Sequence, residues 1–245
     1  MTRGRGFFRL RPEATGSRDG WLPASAGRTL VCLAVLTASS LQLGAQNQGH
    51  RPLFPPKDLG LLEMPDRAAW QKPDQIMDAL HIADGSHVAD IGAGAGWFTI
   101  RLARQVGPPG RVYAVDIQKE TLEAIRRRVS REGLENVRRI LGSASDPNLP
   151  AGTLDAALLV DTYPEIGRTG HEAEDRALYL RTLARSLKPG GRIGVVNYKP
   201  GEGGPGPDQD QRVDSVTVEA DARSAGLRVL ARENLPFQYL LVLGR

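Results

Sequence analysis

The sequence predicts an α/β domain: a seven-stranded, mostly parallel, doubly wound sheet with an antiparallel C-terminal strand and helices on both faces. Three observations predict it. Short apolar runs alternate with helix-length amphipathic segments from about Asp66 onward. A glycine loop, Gly92-Ala-Gly-Ala-Gly96, follows the first apolar run directly. Only Glu233-Asn-Leu-Pro236 separates the last two runs, and four residues are too few for a parallel crossover, so that pair is antiparallel.

The elements follow in order. Pro73–Leu80 is a short helix with proline in its first turn. Asp84-Gly85 is a turn, and His87–Ile91 is the first strand. Gly96–Val106 places Phe98, Ile100, Leu102, Ala103 and Val106 at helical spacing and stops at Gly107-Pro-Pro-Gly110. Arg111–Val115 is a strand, and Lys119–Glu132 is an arginine-rich helix stopped by Gly133. Val137–Leu141 and Leu154–Val160 are strands. Ala173–Leu187 is a helix ended by Lys188-Pro-Gly-Gly191, and Arg192–Asn197 is the strand after it. Val216–Ala225 is a helix ended by Gly226; Leu227–Arg232 and Phe237–Leu243 are the closing strands. The glycine- and proline-rich segment from Lys199 to Pro207 reads either as a disordered insertion or as a flap at the carboxyl end of a strand.

Composition narrows the function classes. Of 245 residues, 40% are hydrophobic and 24% charged, an ordinary globular balance. Residues 1–45 hold six arginines against Glu13 and Asp19, which accounts for the whole net charge of +4. The remainder is neutral overall, so the basic character does not mark a nucleic-acid surface. The arginine cluster Arg126-Arg-Arg128 reads as a solvated helix face. The basic stretch ending at Arg28 and the apolar core Leu30–Leu36 suit a signal peptide or N-terminal leader over 1–45, followed by a proline-rich linker over 46–65 and one domain over 66–245. That core is too short for a stable membrane span. A used leader implies a periplasmic or secreted protein; an overcalled start codon implies a cytoplasmic one. The single cysteine, Cys32, lies in the leader, so the domain has no disulfide and no thiolate metal site, and no metal is expected.

The chemistry sits in Val88-Ala-Asp-Ile-Gly-Ala-Gly-Ala-Gly-Trp97. In an open parallel sheet, ligands bind beyond the carboxyl ends of the strands. A dinucleotide loop wants G-x-G-x-x-G, and from Gly92 and Gly94 the third glycine falls at position 97, which holds Trp97. The spacing found, Asp90 to Gly96, brings a carboxylate instead, which suits an ammonium-bearing ligand. A second acid ends the next strand, in Val112-Tyr-Ala-Val-Asp116, where it can accept from both ribose hydroxyls. The two together ask for a nucleoside joined to an amino acid without phosphate, which is S-adenosyl-L-methionine.

At this point the sequence resembles the class I S-adenosylmethionine-dependent methyltransferases, whose sheet is Rossmann-like. Beyond VADIGAGAGWF, the resemblance rests on RVYAVD, LDAALLVDTY and SLKPGGR, each in its place along the strand order. It implies that Asp90, Gly92, Ala93, Gly94 and Gly96 cradle the methionine part and ribose, that Asp116 holds the ribose, and that Ile117 packs on adenine. It implies an adenine end at Ser143 and Ala144, with Ser143 standing where the family often has an acid and Asp146 nearby to replace it. Asp161 and Thr162 match positions along the methionine and methyl end. Pro164 stands where the family pattern often has histidine, so the catalytic candidates are Tyr163 and Glu165. A packed tyrosine and a solvated loop acid are the competing readings of that pair, and His171 reads as surface.

The implied reaction is in-line methyl transfer, in which orientation does most of the work. The acceptor is expected to be a small molecule held between 161–172 and 199–212, with no nucleic acid involved. Three other readings stay open: a non-catalytic module that binds S-adenosylmethionine, an NAD(P)-dependent oxidoreductase on a similar sheet, and a scaffold role for a fold that has lost its ligand.

Overall fold

The computed structural model describes residues 64–245 apart from 168–170 and 202. The proposed leader, Cys32 and nearly all of the linker lie outside the described residues. Helix α1 (Arg67–Gln71) and helix α2 (Pro73–Ala79) meet at Lys72, which adopts a left-handed conformation with φ of 54°. Pro73 at the start of α2 needs no N–H donor there. The chain then alternates β1 (His87–Ile91), α3 (Trp97–Val106), β2 (Arg111–Asp116), α4 (Lys119–Arg131), β3 (Val137–Leu141) and β4 (Leu154–Val160). A 3-10 turn at Tyr163–Glu165 leads to α5 (Glu172–Arg185), β5 (Leu187–Tyr198), α6 (Ser215–Ser224), β6 (Arg228–Asn234) and β7 (Gln238–Gly244).

The seven strands form one sheet in the order β3-β2-β1-β4-β5-β7-β6. Strand β7 runs antiparallel to both neighbours, β5 and β6, while the other registered pairs are parallel. The order reverses between β1 and β4, so a crevice opens at their carboxyl ends.

Alternate residues of each strand feed two cores. Ala89, Ile91, Ala157, Leu159, Ile193 and Leu241 pack against Leu180 and Leu183 of α5 and Val218 and Ala222 of α6. Val88, Val112, Ala156, Leu158 and Val242 face the other way, against Ile76 of α2 and Phe98, Leu102 and Val106 of α3. Ala114 continues that second face onto Leu122 and Ile125 of α4. Helices therefore cover both faces, as the pattern predicts. Each fully buried leucine here contributes about 1.5–3 kcal/mol by leaving water.

Three differences from the sequence expectation have physical causes. Helix α1 was hidden in what looked like the approach to α2, because five residues carry no periodicity. Helix α5 ends at Arg185, capped at Ser186, ahead of Lys188-Pro-Gly-Gly191, which instead belongs to β5 together with Leu187, with a register shift against β4 between Leu154 and Ala156. The loop after β5 packs as a flap: a Cβ on Gly206 would come within 2.7 Å of the Tyr198 ring, and one on Gly204 within 2.4 Å of the Phe237 ring. Arg212 ties the loop down by donating to the carbonyls of Lys199, Pro205 and Pro207.

One buried polar group holds the α5–α6 side together. The Asp221 carboxylate accepts from the Tyr163 hydroxyl at 2.9 Å and from Arg176 Nε at 2.7 Å. Its side chain is 6% exposed and that of Arg176 11%. Removing one partner of such a pair leaves the other charged and desolvated. Asp221→Leu is therefore expected to lower the urea-unfolding free energy by about 3 kcal/mol, with Arg176→Met on the same background recovering part of that loss.

Candidate functional site

The site is built at the crevice where β1 and β4 end. Strand β1 delivers Asp90, and the loop after it delivers Gly92, Ala93, Gly94 and Gly96. Three glycines take left-handed φ values of 69°, 52° and 77° at 92, 94 and 96, conformations that a side chain disfavours. The loop is held by its own N–H groups: Gly92 and Ala93 donate to the Val115 carbonyl, Gly96 to the Ala93 carbonyl, and Gly94 to Asp116 Oδ2. Its contribution to a ligand is thus clearance and shape rather than these donors. Gly92 has a more specific reason to lack a side chain. A Cβ there would lie 2.2 Å from Thr162 Oγ1 and 2.4 Å from Thr162 Cγ2. Residue 92 is thus a glycine in the first place because Thr162 fills the space a side chain would take.

Thr162 donates to the Ile91 and Val160 carbonyls at 3.0 and 3.1 Å, tying β4 to β1 at the bottom of the crevice. Asp90 is 3% exposed and accepts from Thr99 Oγ1 at 2.6 Å. Burial, partly opposed by Thr99 and Arg67, pushes its carboxyl up to about 6. This places the raised value on the folded side of the linkage. The native state then binds the proton more tightly than the unfolded chain, so the stabilisation is complete below about pH 4 and is lost as pH rises through about 6. Asp90→Asn removes that loss. Its stability relative to wild type is expected to rise by about 2 kcal/mol between pH 4.5 and 7.5 in urea melts of the unliganded protein.

Asp116 closes β2 and is 8% exposed. Its Oδ1 accepts from Gln118 N at 2.9 Å and its Oδ2 from Gly94 N at 3.1 Å, which fixes the carboxylate while each oxygen keeps a further lone pair. Burial pushes its carboxyl upward against those bonds. Ile117, immediately beyond, is 43% exposed, and Leu141 at the end of β3 is 40% exposed, so an apolar surface lies beside the acid. Ser143 and Ala144 are exposed. Ser143 Oγ accepts from the Asp146 N–H at 3.0 Å, and Asp146 Oδ1 from the Asn148 N–H at 2.7 Å, so both polar groups are engaged in their own turn.

Trp97 is buried against Phe98, with ring centroids 5.0 Å apart, and the guanidinium groups of Arg67 and Arg101 lie over its ring at 4.5 and 3.4 Å. A dinucleotide loop needs that position empty.

Asp161 is the residue whose role the sequence understated. It has φ of 55°, strained for an aspartate, at the end of β4. Gln238 Nε2 donates to both its oxygens, at 2.8 and 3.0 Å. Gln71 Nε2 in turn donates to Gln238 Oε1 at 2.9 Å, and Arg67 Nε to Gln71 Oε1. A directed chain thus runs from α1 through β7 to Asp161, and neither glutamine was singled out by motif. Burial pushes the Asp161 carboxyl up to about 7, against the opposing charges of Arg67 and Arg212.

The two catalytic candidates part company. Tyr163 is 0% exposed, and its hydroxyl is bonded to Asp221 in the core, so it offers no surface to a substrate. The catalytic expectation for Tyr163 is corrected: the 3-10 turn rotates it inward beneath α6. Glu165 is exposed on the same turn.

Residues 88–191 match the model of a methyltransferase domain family. A solved S-adenosylmethionine-dependent methyltransferase from Aquifex aeolicus superposes with a TM-score of 0.71 and 25% identity, covering 78% of this chain and 98% of that one. Residues 88–191 thus carry a methyltransferase domain similar to those of the class I S-adenosylmethionine-dependent methyltransferases. Curated relatives include the demethylmenaquinone methyltransferases of Listeria monocytogenes, 29% identical over 128 residues, and of Geobacillus, 31% identical over 120 residues. These alignments cover 52% and 49% of this chain and 50% and 48% of the relatives, so the chain spans about half the length of the curated relatives it matches. The residues present fit the family's cofactor: a fixed carboxylate with free lone pairs for the ribose, an exposed isoleucine beside it for the adenine, and buried acids near an open glycine loop for the ammonium group. Among the described residues no acidic, histidine or cysteine cluster could hold a metal, and no helix is long and apolar enough to cross a membrane.

Proposed function

We propose that this protein transfers the methyl group of S-adenosylmethionine to a small-molecule acceptor. The observation that carries the reading is Asp116, buried and held at the tip of β2, with an exposed isoleucine following it and the glycine loop opposite. When bound, the cofactor supplies an electrophilic methyl on a sulfonium whose departure leaves a neutral thioether. This chain's residues bind and orient: Asp116 takes the ribose, Ile117 one face of the adenine, and Asp90 with the loop the amino-acid end. Orientation of this kind is worth several kcal/mol of barrier when the nucleophile is held about 3 Å from the methyl carbon.

The relatives' demethylmenaquinones favour an apolar ring compound as acceptor over a polymer. The domain's neutral balance outside residues 1–45 supports the same class. Calorimetric titration with S-adenosylhomocysteine and with NADH tests the reading. Micromolar binding of the first and none of the second is expected; the opposite pattern overturns it in favour of an oxidoreductase.

A further inference from the structure

Beyond the cofactor crevice, a constricted cavity lies at the end of β4, lined by Asp161, Pro164, Asn197 and Tyr198, with Pro207, Gln211, Arg212 and Val213 of the flap outside. Two features of its wall leave hydrogen-bonding capacity for a ligand. Asn197 is 2% exposed, and its amide donates to the Tyr239 hydroxyl at 3.1 Å, yet its Oδ1 is buried with no hydrogen-bond partner. A buried acceptor left unpaired costs about 1–3 kcal/mol, which a ligand's donor would relieve. The second feature is Asp161, which lines the same cavity; it accepts from Gln238 and from Gln71, and the two oxygens of a carboxylate have about four acceptor sites in all, so it can take a further donor. On the sheet side the cavity thus offers acceptors, Asn197 and Asp161, while Gln211 and Arg212 bring donors from the flap side, so an occupant seated against the sheet meets it with donors.

The third wall is aromatic. The Tyr198 ring lies 6.0 Å from Trp70, whose ring lies 6.1 Å from Phe237. The flap covers the rings of Tyr198 and Phe237 with Gly206 and Gly204, residues that bring no side chain between flap and ring. Lifting so thin a cover frees a flat apolar face.

Resting on the methyltransferase reading, we propose that Asp161 is the general base of the reaction, taking the proton of a hydroxylated ring compound that lies against Tyr198 and donates a second hydrogen bond to Asn197. In the step, the acceptor O–H bond breaks and its proton passes to Asp161. The oxygen's electron pair forms the bond to the transferred methyl, and the former S–CH3 pair stays on sulfur. The products are the methyl ether, S-adenosylhomocysteine and protonated Asp161, which returns its proton to water. A base poised in this way contributes about 100-fold or more to such a transfer.

The groups that face Asp161 are Arg67 and Gln71 from α1, Gln238 from β7, Tyr198 from β5 and Arg212 from the flap. Burial outweighs the two arginines, so the carboxyl titrates high, at about 7, and the base is charged only above that pH.

The test uses the full chain with S-adenosylmethionine and two probes of one ring, 1,4-dihydroxynaphthalene and 1,4-dimethoxynaphthalene, with products read by mass spectrometry. Wild type is expected to O-methylate only the dihydroxy probe, with a rate that climbs through about pH 7 and levels off above it. At saturating S-adenosylmethionine, Asp161→Asn is expected to lose about 100-fold in rate and to lose the pH step. Gln238→Leu removes the bonds that favour the charged carboxylate, so its step moves to higher pH. The proposal is overturned if Asp161→Asn keeps both rate and pH profile, or if wild type binds S-adenosylhomocysteine yet methylates neither probe or both. Failure of wild type to bind S-adenosylhomocysteine overturns the methyltransferase reading instead.

Discussion

Asp116→Ala is expected to weaken S-adenosylhomocysteine binding by about 100-fold or more while leaving thermal stability close to wild type. The carboxylate is desolvated and already oriented by Gly94 and Gln118, so the two ribose hydroxyls meet acceptors that need no reorganisation. Hydrogen bonds to a charged group contribute about 1.5–3 kcal/mol each, and two of them set the hundredfold scale. Stability changes little because the variant relieves the burial that pushes this carboxyl upward as it gives up the two backbone N–H bonds. Asp116→Asn is the sharper control. It keeps the shape and one acceptor, and is expected to lose about half of the effect on a logarithmic scale. Calorimetry on the three proteins measures this directly; an Asp116→Ala protein that binds within 3-fold of wild type sinks the assignment of the ribose site.

Gly92→Ala is expected to be the most destabilising of the small changes in the crevice, by about 4 kcal/mol, or about 10 °C in melting temperature for a domain of this size. Two effects act together. The new Cβ would overlap Thr162 at 2.2 and 2.4 Å, and φ of 69° is a conformation that alanine disfavours. Thr162 cannot swing away without giving up the Ile91 and Val160 carbonyls. The double variant Gly92→Ala with Thr162→Gly relieves the overlap and leaves only the backbone term of about 1 kcal/mol plus the loss of the threonine bonds. Strong non-additivity in a double-mutant cycle is the expected result; additive losses would show that the overlap is not what makes residue 92 a glycine.

The fold was legible because its signals are local. Val88–Ile91 and Leu154–Val160 are apolar runs of strand length, and the four-residue connection before Phe237 leaves only an antiparallel pairing, which β7 adopts. Asp116 was legible for the same reason, since it follows its strand directly. The rest of the site depends on partners far apart in the chain. Gln71 and Gln238 meet across 167 residues, and Gln238 and Asp161 across 77; a glutamine at the start of a strand has no periodicity that announces such a bond. Asn197 reads as the polar end of a strand, and only burial shows that its oxygen lacks a partner. For Tyr163 the sequence leaves a substrate-facing and a packed side chain equally open, and the 3-10 turn after β4 decides for the packed one. Gly92 looked like every other glycine of its loop until Thr162 was seen against it.

Strand β7 lies between β5 and β6 in the sheet although it follows both in the chain. Its first residue is Gln238, the partner of Asp161. During synthesis the ribosome therefore releases the glycine loop, Asp116 and Asp161 well before the side chain that orients the last of them. A nascent protein whose β5 edge is still uncovered exposes main-chain donors and acceptors to other chains and holds an acid without its amide. On the proposed role of Asp161, competence to react thus arrives in the same event that seals the sheet.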